Sequence, residues 1–375
     1  MTACLVLDDS TVHNLLIDLT RDEIHMFLDK IEGCLKDFSV GDERSHQPGP
    51  VVTKRNGRKN LFRLFTSATG IGVKIIVDPS QALASELKQD DDSEAARAKK
   101  NKLMGLHGFL AVCDQNGFPK GFINAEEITG YRTSLSAIIL FVRRKKVSSI
   151  VVFGAGKQAL WHIRLALALR GEDIQRVTVI NRSFERTKDL IRQVSEENEK
   201  KWKVQNVRFE SVEVGDSEKI KSAVNEANVV FCTTPSREVL FPAEYVLDKD
   251  GGCYVSAIGS WMAEMIELDP ELLKKTAHRG GDKGMVIVDN GEDCKKDTGE
   301  ITRSGLSDEQ MTEVGEVLDV ITRPSSKLHN ETIKCLESGL VIYKSVGVSL
   351  TDLAAGQALL ALASKNKEGI AVPNF

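Results

Sequence analysis

The chain has 375 residues, of which 41% are hydrophobic and 28% are charged, and its formal net charge is −4. This length suits two domains with real hydrophobic cores, and the interspersed charges argue against nucleic acid or a membrane surface as a partner. Seven cysteines stand singly, and no apolar run approaches 18 residues. These features predict reduced thiols, no metal site, and a soluble cytoplasmic protein.

The first part of the chain is predicted to form strands around one capped helix. Thr20 and Glu23 have the spacing of a capping box, which places the start of a helix at about Asp22. Residues 41–60 are polar and rich in turn-forming residues, which predicts a loop. The apolar runs that predict strands cover residues 4–7, 61–65 and 72–77.

Lys74 lies within the last of these runs, which is apolar on both faces and therefore predicts a buried strand. A lysine in such a place either extends its ammonium group to the surface or lines a polar cavity. The local sequence leaves both interpretations open.

Residues 89–102 carry an acidic run followed by a basic one, which predicts a solvated loop or a short exposed helix without chemistry. The apolar runs at residues 109–113 and 121–123, separated by Asn116-Gly117, then predict a β-hairpin.

A helix is predicted over residues 125–143, with Ile128, Leu135 and Ile139 on its buried face. Arg132 lies on that same face. Because arginine is almost never buried without a partner, Arg132 must meet either an internal carboxylate or an anionic ligand. The pattern does not choose between the two.

A complete phosphate-binding unit follows this helix. The β-branched run at residues 150–153 enters a turn at Gly154 and Gly156, and a helix opens at once, with Ala159 at the third small position of a G-x-G-x-x-G/A motif. Gly154 permits the tight turn, Gly156 lets a pyrophosphate approach the backbone, and Ala159 lets the helix pack on the strand. The amide groups and positive dipole end of the helix then hold the phosphates.

The residues after the second strand of this unit, at residues 177–180, favour NADP over NAD. An NAD site places Asp or Glu about 20 residues after the motif, where it binds the ribose 2′-hydroxyl group. This chain instead has Asn181, Arg182, Ser183 and Arg186. A cationic, hydroxyl-bearing corner without a carboxylate suits a 2′-phosphate, although the two arginines could also belong to a solvated helix start.

Strands and helices continue to alternate after this unit, with further strands near residues 207–212 and 285–289 and within residues 228–235 and 251–260. This order predicts an α/β fold with a Rossmann-type doubly wound parallel sheet, inserted in a second α/β domain. Two strands end in small or hydroxyl-bearing residues, where such a sheet places its ligand crevice. These ends are Cys232-Thr-Thr-Pro235 and Gly259-Ser260.

The last segment, from Ser345, predicts a helix that is apolar on nearly all sides. Ser349 and Asp352 have the spacing of a capping box, and an acidic residue in a first turn is favourable for local reasons. Asp352 is therefore interpreted as part of the helix start and is left out of the catalytic set.

These motifs, in this order, resemble those of the ornithine cyclodeaminase/mu-crystallin family. The resemblance extends from about Val51 to the C-terminus and depends on several motifs together. They are Gly72-Val-Lys74, Thr129-Gly-Tyr-Arg-Thr-Ser134, Gly154-Ala-Gly-Lys-Gln-Ala159, Asn181-Arg182-Ser183, Cys232-Thr-Thr-Pro235, Thr298-Gly-Glu-Ile301, and Ser345-Val-Gly347 through Asp352.

The resemblance implies a homodimer whose subunits have two domains. Residues 1–130 and 340–375 would form a substrate-binding and dimerisation domain, and residues 131–339 an NADP-binding Rossmann domain. By the same resemblance, Lys74 and Arg132 are catalytic and face a substrate carboxylate beside the nicotinamide. The residues expected to bind the cofactor are Thr133, Gly154, Ala155, Gly156, Lys157, Gln158, Ala159, Asn181, Arg182, Ser183, Arg186, Cys232, Thr233, Thr234, Pro235, Ile258, Val346 and Gly347.

The chain also departs from the family pattern. Where members that bind amino acids have Pro-x-Arg, residues 48–50 read Pro-Gly-Pro, and Arg63 is a candidate replacement for the missing arginine. The cyclodeaminase glutamate is matched by Leu61, and the aspartate that assists cyclisation is matched by Ser260. Without these carboxylates ornithine cyclisation lacks its acid/base groups, so that activity is not expected. Ser260 and Trp261 are candidate substrate-binding residues, with a plain core position for Trp261 as the alternative.

The leading hypothesis is an NADPH-dependent imine (ketimine) reductase that transfers a hydride to the C=N carbon of a cyclic or N-substituted imine bearing a carboxylate. Arg132 would hold the anionic group, and Lys74 would add charge and a proton for the nitrogen. Two alternatives stay open. One is an NAD(P)-dependent dehydrogenase of amino acids or N-alkyl amino acids, and the other is a non-catalytic NADPH-binding protein similar to mu-crystallin.

Overall fold

The protein divides into two compact units in the computed structural model. The first unit comprises Met1–Leu19, Asp42–Arg132 and Ser349–Phe375, and the second comprises Thr20–Gly41 and Thr133–Val348. The predicted exposed segment at residues 89–102 lies outside the described residues. The structure describes residues 3–79, 106–247, 249, 252–323 and 326–375.

The strands alternate with helices along most of the described chain. The strands are β1 (Cys4–Leu7), β2 (Val51–Arg55), β3 (Arg58–Ser67), β4 (Gly70–Asp78), β5 (His107–Cys113), β6 (Pro119–Asn124), β7 (Ser149–Phe153), β8 (Arg176–Asn181), β9 (Arg208–Glu213), β10 (Val229–Cys232), β11 (Tyr254–Ala257), β12 (Gly284–Val288), β13 (Thr312–Glu313), β14 (Leu340–Lys344) and β15 (Ile370–Val372). The α-helices are α1 (Asp9–Ile17), α2 (Arg21–Val40), α3 (Ala125–Phe141), α4 (Lys157–Arg170), α5 (Phe184–Glu197), α6 (Ser217–Glu226), α7 (Glu244–Leu247), α8 (Pro270–Arg279), α9 (Gly291–Asp297), α10 (Gly299–Ser304), α11 (Val314–Thr322), α12 (Lys327–Ser338) and α13 (Ser349–Asn366).

The first unit is built on a mixed seven-stranded sheet with the order β15-β1-β6-β5-β4-β3-β2. Strand β1 pairs parallel with β6, whereas β2 to β6 follow one another as antiparallel neighbours. Helix α13 packs on one face of this sheet. A Cβ atom at Gly356 would lie 2.8 Å from the Leu110 side chain, so the small residue lets the helix approach the sheet closely.

The loop predicted at residues 41–60 is wrong from Val51 onward, because β2 and β3 form a hairpin there. Asn56 and Gly57 connect the strands with φ angles of 50° and 70°. Two consecutive positive φ angles are what a two-residue hairpin turn requires, and Asn-Gly is the pair that favours them. Helix α1 was not predicted either. It begins after Asp8, whose carboxylate accepts a hydrogen bond from the Thr11 amide.

The capping box predicted for the next helix is confirmed. The Thr20 hydroxyl accepts from the Glu23 amide at 3.3 Å, and the Glu23 carboxylate accepts from the Thr20 amide at 2.9 Å. This helix, α2, packs against α11, where a Cβ atom at Gly315 would lie 2.1 Å from the Leu35 carbonyl oxygen.

The second unit contains an eight-stranded sheet with the order β13-β12-β14-β11-β10-β7-β8-β9, and all its pairs are parallel. The chain runs outward from β7 through β8 to β9, then returns to β10 on the other side. The order therefore reverses between β7 and β10, where a doubly wound sheet opens its crevice. The predicted α/β fold with a Rossmann-type parallel sheet is confirmed.

The division into units differs from the predicted domain bounds in three stretches. Residues 131 and 132 were predicted in the Rossmann domain but belong to the first unit. Helix α2 was predicted within the substrate domain, but it belongs to the second unit because it packs on α11. Residues 340–348 also belong to the second unit, because β14 pairs with β11 on one side and β12 on the other. The functional roles assigned to the two domains stay predictions.

Candidate active site

The glycine-rich turn lies at the carboxyl end of β7, in the second unit. Gly154 has a φ of +111° and donates its amide to the Ile180 carbonyl oxygen at 2.9 Å. A Cβ atom there would lie 2.8 Å from Oγ1 of Thr233. Both the positive φ and this close approach require glycine.

The next glycine leaves space above the start of a helix. Gly156 is the N-cap of α4, and within the described ranges no heavy atom beyond its two chain neighbours lies within 4 Å of the position its Cβ would take. Ala155, Lys157 and Gln158 are half-buried, whereas Ala159 is buried against the sheet. An open backbone at a helix N-terminus suits a phosphate group, so this turn fits the pyrophosphate of a dinucleotide.

The carboxyl end of β10 is tied to the glycine turn. Both the amide and the hydroxyl of Thr233 donate to the Phe153 carbonyl oxygen, at 3.0 and 2.7 Å. Thr234 is half-buried and Pro235 is exposed. Cys232, predicted to bind the cofactor, has its thiol in the hydrophobic core, where burial raises its pKa well above the usual value.

The corner that was predicted to bind the 2′-phosphate lies at the carboxyl end of β8. Asn181 donates its side-chain amide to the Ser183 carbonyl oxygen at 3.0 Å, and the Ser183 hydroxyl caps α5 by accepting from the Arg186 amide. The side chains of Arg182 and Arg186 are exposed. The corner therefore presents two guanidinium groups at the edge where a ribose would lie.

The segment after β14 is held by an aspartate that the sequence did not identify. Asp289 is buried and accepts hydrogen bonds from the Val346 and Gly347 amides at 3.1 and 2.7 Å. Its carboxylate also accepts from the Ser345 hydroxyl at 2.7 Å. Two predicted cofactor residues, Val346 and Gly347, are thus fixed by Asp289, which follows β12 directly.

The remaining predicted residues of the second unit have different environments. Thr133 is buried on α3, and Ile258 is half-buried after β11. Ser260, predicted to bind substrate, is fully buried, and its hydroxyl donates to Oε1 of Glu300 at 2.5 Å. Its side chain therefore belongs to an internal hydrogen-bond network and is not open to a ligand. Trp261 is half-buried, and its predicted role stays untested.

In the first unit, Lys74 and Arg132 meet at a single carboxylate oxygen. Oδ1 of Asp352 accepts from Lys74 Nζ at 2.7 Å and from Arg132 Nε at 2.8 Å. Lys74 and Asp352 are each 1% exposed, and Arg132 is 5% exposed. The interpretation of Lys74 as a lysine that extends to the surface is wrong, and Arg132 has met the internal carboxylate that was one of its two predicted partners.

Asp352 is the residue whose role the sequence reasoning missed. Helix α13 starts at Ser349, so Ser349 is the first helical residue and does not occupy the cap position before the helix. Oδ1 of Asp352 binds the two cations, and Oδ2 has no hydrogen-bond partner among the described residues. A buried carboxylate on the helix was the available signal, because an aspartate is rarely buried unless it is paired.

The electrostatics of this cluster favour a lysine that titrates near neutrality. Burial, followed by the positive charge of Arg132, lowers the pKa of Lys74 from its usual value to about 7, although Asp352 opposes the change. Burial raises the pKa of Asp352, but the charges of Arg132 and Lys74 outweigh it and the net pKa is lowered. Arg63 lies opposite Lys74 on the neighbouring strand β3 and adds positive charge.

The fold and the glycine turn define a class of protein. A parallel doubly wound sheet with a glycine-rich turn after its first strand in the chain, β7, next to the point where the strand order reverses, is the Rossmann-type architecture of dinucleotide-binding proteins. Residues 99–366 match the ornithine cyclodeaminase/mu-crystallin family. The chain belongs to this family, as the motif series predicted.

The chain is also similar to individual proteins. A Saccharomyces cerevisiae protein described as uncharacterized is 26% identical over 294 residues, which cover 72% of this chain and 77% of its own. An archaeal alanine dehydrogenase dimer with bound NAD has a TM-score of 0.72 at 18% identity, covering 99% of both chains. The Thermococcus litoralis Δ1-pyrroline-2-carboxylate reductase in complex with NADH and L-proline has a TM-score of 0.72 at 16% identity, covering 98% of this chain and 100% of that one. At these identities the two structures establish a shared fold.

Proposed function

We propose that the protein is an NADPH-dependent imine reductase that acts on a cyclic or N-substituted imine bearing a carboxylate. The observation that carries this proposal is the buried cluster in which Lys74 and Arg132 share Oδ1 of Asp352. Two cations around one carboxylate keep positive charge available for a small anion, in surroundings where water does not screen it. The similarity to a Δ1-pyrroline-2-carboxylate reductase supports the same class of substrate.

The second unit would hold the cofactor. Gly154 and Gly156 would receive the pyrophosphate at the start of α4, and Arg182 and Arg186 would bind the 2′-phosphate of NADPH. When bound, the nicotinamide supplies the hydride for the C=N carbon. The exposed arginines, and the lack of an acidic residue directly after β8, support NADP over NAD.

Lys74 would supply the proton that balances the hydride. Reduction of C=N to CH–NH adds one hydride to carbon and one proton to nitrogen. With a pKa of about 7, the Lys74 ammonium group can donate that proton near neutral pH and regain one from solvent. Arg132 would hold the substrate carboxylate, and Asp352 would keep both cations in position. Arg63 would add positive charge from the neighbouring strand.

A second candidate, supported by the similarity to an archaeal alanine dehydrogenase, is an amino-acid or N-alkyl amino-acid dehydrogenase. The same cations would then hold a 2-oxo acid, and turnover would require ammonia or an amine. Ornithine cyclodeaminase activity is not proposed, because Leu61 and Ser260 stand where its two carboxylates are expected.

We also propose that the protein forms a homodimer through the first unit. The face of the sheet opposite Lys74 exposes Leu64, Ile71 and Phe109, and Phe109 packs beside Phe122 with ring centroids 6.2 Å apart. An exposed apolar sheet face of this kind is suited to a second copy of the chain. Phe109→Asp should give a monomer by light scattering, whereas Val239→Asp, at an exposed apolar residue of the second unit, should not. A cytoplasmic location is proposed because none of the seven cysteines forms a disulfide bond.

The function can be tested by following NADPH oxidation with a small substrate panel. The panel contains Δ1-pyrroline-2-carboxylate, Δ1-piperideine-2-carboxylate, an uncharged cyclic imine, and pyruvate with methylamine. Turnover of the preformed carboxylated imines is expected. Turnover only with pyruvate and amine would favour the dehydrogenase. Turnover only of the uncharged imine would contradict the proposed binding site for a substrate carboxylate. Tight NADPH binding without any turnover would favour a binding protein.

A further inference from the structure

Glu267 is a fully buried carboxylate that accepts backbone hydrogen bonds from two different loops. Its Oε1 accepts from the Thr234 amide at 2.8 Å, and its Oε2 accepts from the Gly259 and Ser260 amides at 2.6 and 3.1 Å. Thr234 follows β10, and Gly259 and Ser260 follow β11, the neighbouring parallel strand. One side chain therefore joins the carboxyl ends of two strands.

The two loops are also in direct contact at Gly259. A Cβ atom there would lie 2.1 Å from the Thr234 carbonyl oxygen and 2.6 Å from Oε1 of Glu267. The Thr234 oxygen belongs to the backbone and the Glu267 carboxylate is held by three amides, so neither can shift without breaking these contacts. The two loops therefore require a glycine at position 259 and a hydrogen-bond acceptor at position 267 to adopt this arrangement.

Other charged groups surround Glu267 and are themselves bonded to the same loop. Lys344, at the end of β14, donates to the Ser260 carbonyl oxygen at 2.7 Å and to the Ala257 carbonyl oxygen at 3.2 Å. Its Nζ lies 3.4 Å from Oε1 of Glu300, which also accepts from the Ser260 hydroxyl. Lys344 and Glu300 are both fully buried.

Such a network is costly to bury, and well-packed apolar side chains would often stabilise the fold to the same extent. What apolar side chains cannot do is accept three N–H groups and so fix the direction of two loops. We propose that Glu267 is a positioning residue for the cofactor, holding the loops after β10 and β11 in the arrangement that receives the dinucleotide. This inference rests on the proposed cofactor site, whose predicted residues include Thr234 and Ile258.

The charge state of Glu267 gives the proposal a pH signature. Burial raises its pKa to about 7, while Lys344 opposes this and Glu300 adds to it. The buried Cys232 thiol is also within electrostatic range of Glu267. Above about pH 7 the carboxylate accepts all three N–H groups; below it, one oxygen becomes a hydroxyl donor and holds the loops less well. Cofactor affinity should therefore fall as the pH decreases through about 7.

The test compares Glu267→Gln with a matched control, Glu271→Gln. Glu271 is exposed on α8 and pairs with Lys274, so the same chemical change there should have no effect. In Glu267→Gln, the new NH₂ group faces N–H donors that need an acceptor. We expect its dissociation constant for NADPH, measured by cofactor fluorescence at about pH 8, to rise about tenfold. Its remaining pH dependence between about pH 6 and 8 should be weaker than in the wild type.

Hydrogen exchange of the protein without cofactor gives an independent readout. In Glu267→Gln the amides of residues 234, 259 and 260 should exchange faster than in the wild type, with no change in Glu271→Gln. Wild-type NADPH affinity in a folded Glu267→Gln protein would overturn this inference and leave the cofactor site intact. Failure of the wild type to bind NADPH or NADH would overturn both the role of Glu267 and the proposed cofactor site. If Glu267→Gln does not fold, the wild type alone serves as the test. A dissociation constant of the wild type for NADPH that does not change between about pH 6 and 8 would then overturn the inference.

Discussion

Nζ of Lys74 lies 2.7 Å from Oδ1 of Asp352, although the two residues are 278 positions apart in the chain. The contact joins the middle of β4 to the first turn of α13, and both side chains are almost completely buried. A buried lysine needs such a carboxylate to remain charged, and a buried carboxylate needs the cation. The pair provides a buried, titratable ammonium group, which is the proton donor that we propose for the reaction.

Replacing Asp352 by Asn should destabilise the protein by about 3 kcal/mol, because Lys74 and Arg132 would lose the buried charge that pairs with both. Without that charge the pKa of Lys74 should fall further, since Asp352 is what raises it. Urea unfolding measures the loss of stability. The lower pKa of Lys74 should shift the pH–rate profile toward acid. Asp189→Asn, which breaks an exposed pair with Arg192, is the control and should change neither. Wild-type stability in Asp352→Asn would contradict the ion-pair assignment.

The rate of imine reduction should fall as the pH rises above about 7, because the Lys74 ammonium group is the proposed proton donor. The free energy of unfolding should change with pH in the opposite direction. The pKa of Lys74 is lower in the folded chain than in the unfolded one, so between about 7 and 10.5 the unfolded chain binds more protons. In that window the contribution of Lys74 to the free energy of unfolding should increase with pH.

Lys74→Arg separates charge from proton transfer. Arginine stays charged and keeps the pairing with Asp352, but it does not release a proton in this range. We expect kcat/KM to fall and its decline above about pH 7 to disappear. A variant that retains both the rate and the pH profile would show that another group supplies the proton.

Two alanine variants of the glycine turn should behave differently. Gly154→Ala must adopt a φ of +111° and place a Cβ atom 2.8 Å from the Thr233 hydroxyl, so it should lose about 2 kcal/mol of stability as well as cofactor binding. Gly156→Ala has room for its Cβ atom and should fold normally. Its methyl group would occupy the space proposed for the pyrophosphate, so NADPH affinity should drop. Thermal unfolding and fluorescence titration measure the two effects, and unchanged affinity in Gly156→Ala would contradict the proposed phosphate position.

Arg182→Ala should raise the KM for NADPH by about tenfold and leave the KM for NADH unchanged, because only NADPH carries the 2′-phosphate. The NADPH effect should shrink at high salt, since the arginine is exposed. Arg192→Ala removes another exposed arginine, which lies further along α5 and pairs with Asp189, and serves as the control. Equal losses for NADH and NADPH would mean that Arg182 does not recognise the 2′-phosphate.

Much of the second unit could be predicted because its signals are local. The run at residues 150–153, the glycines after it and the helix that follows are neighbours in the sequence, so one short stretch predicts both the fold class and the phosphate turn. The capping box at Thr20 and Glu23 was predictable for the same reason. The hairpin at Asn56-Gly57 carried a local signal too, but the polar composition around it favoured a loop.

What the sequence alone determined, therefore, was the order of strands and helices, the glycine turn, and the presence of a lysine and an arginine on apolar faces. Only the tertiary structure decided which groups those cations meet. Asp352 has the spacing of a helix cap, yet it pairs with Lys74 and Arg132, and Glu267 joins two loops that are separate in the chain. Local spacing predicts hydrogen bonds within one element. A buried charge finds its partner wherever packing brings one, and this depends on contacts across hundreds of residues.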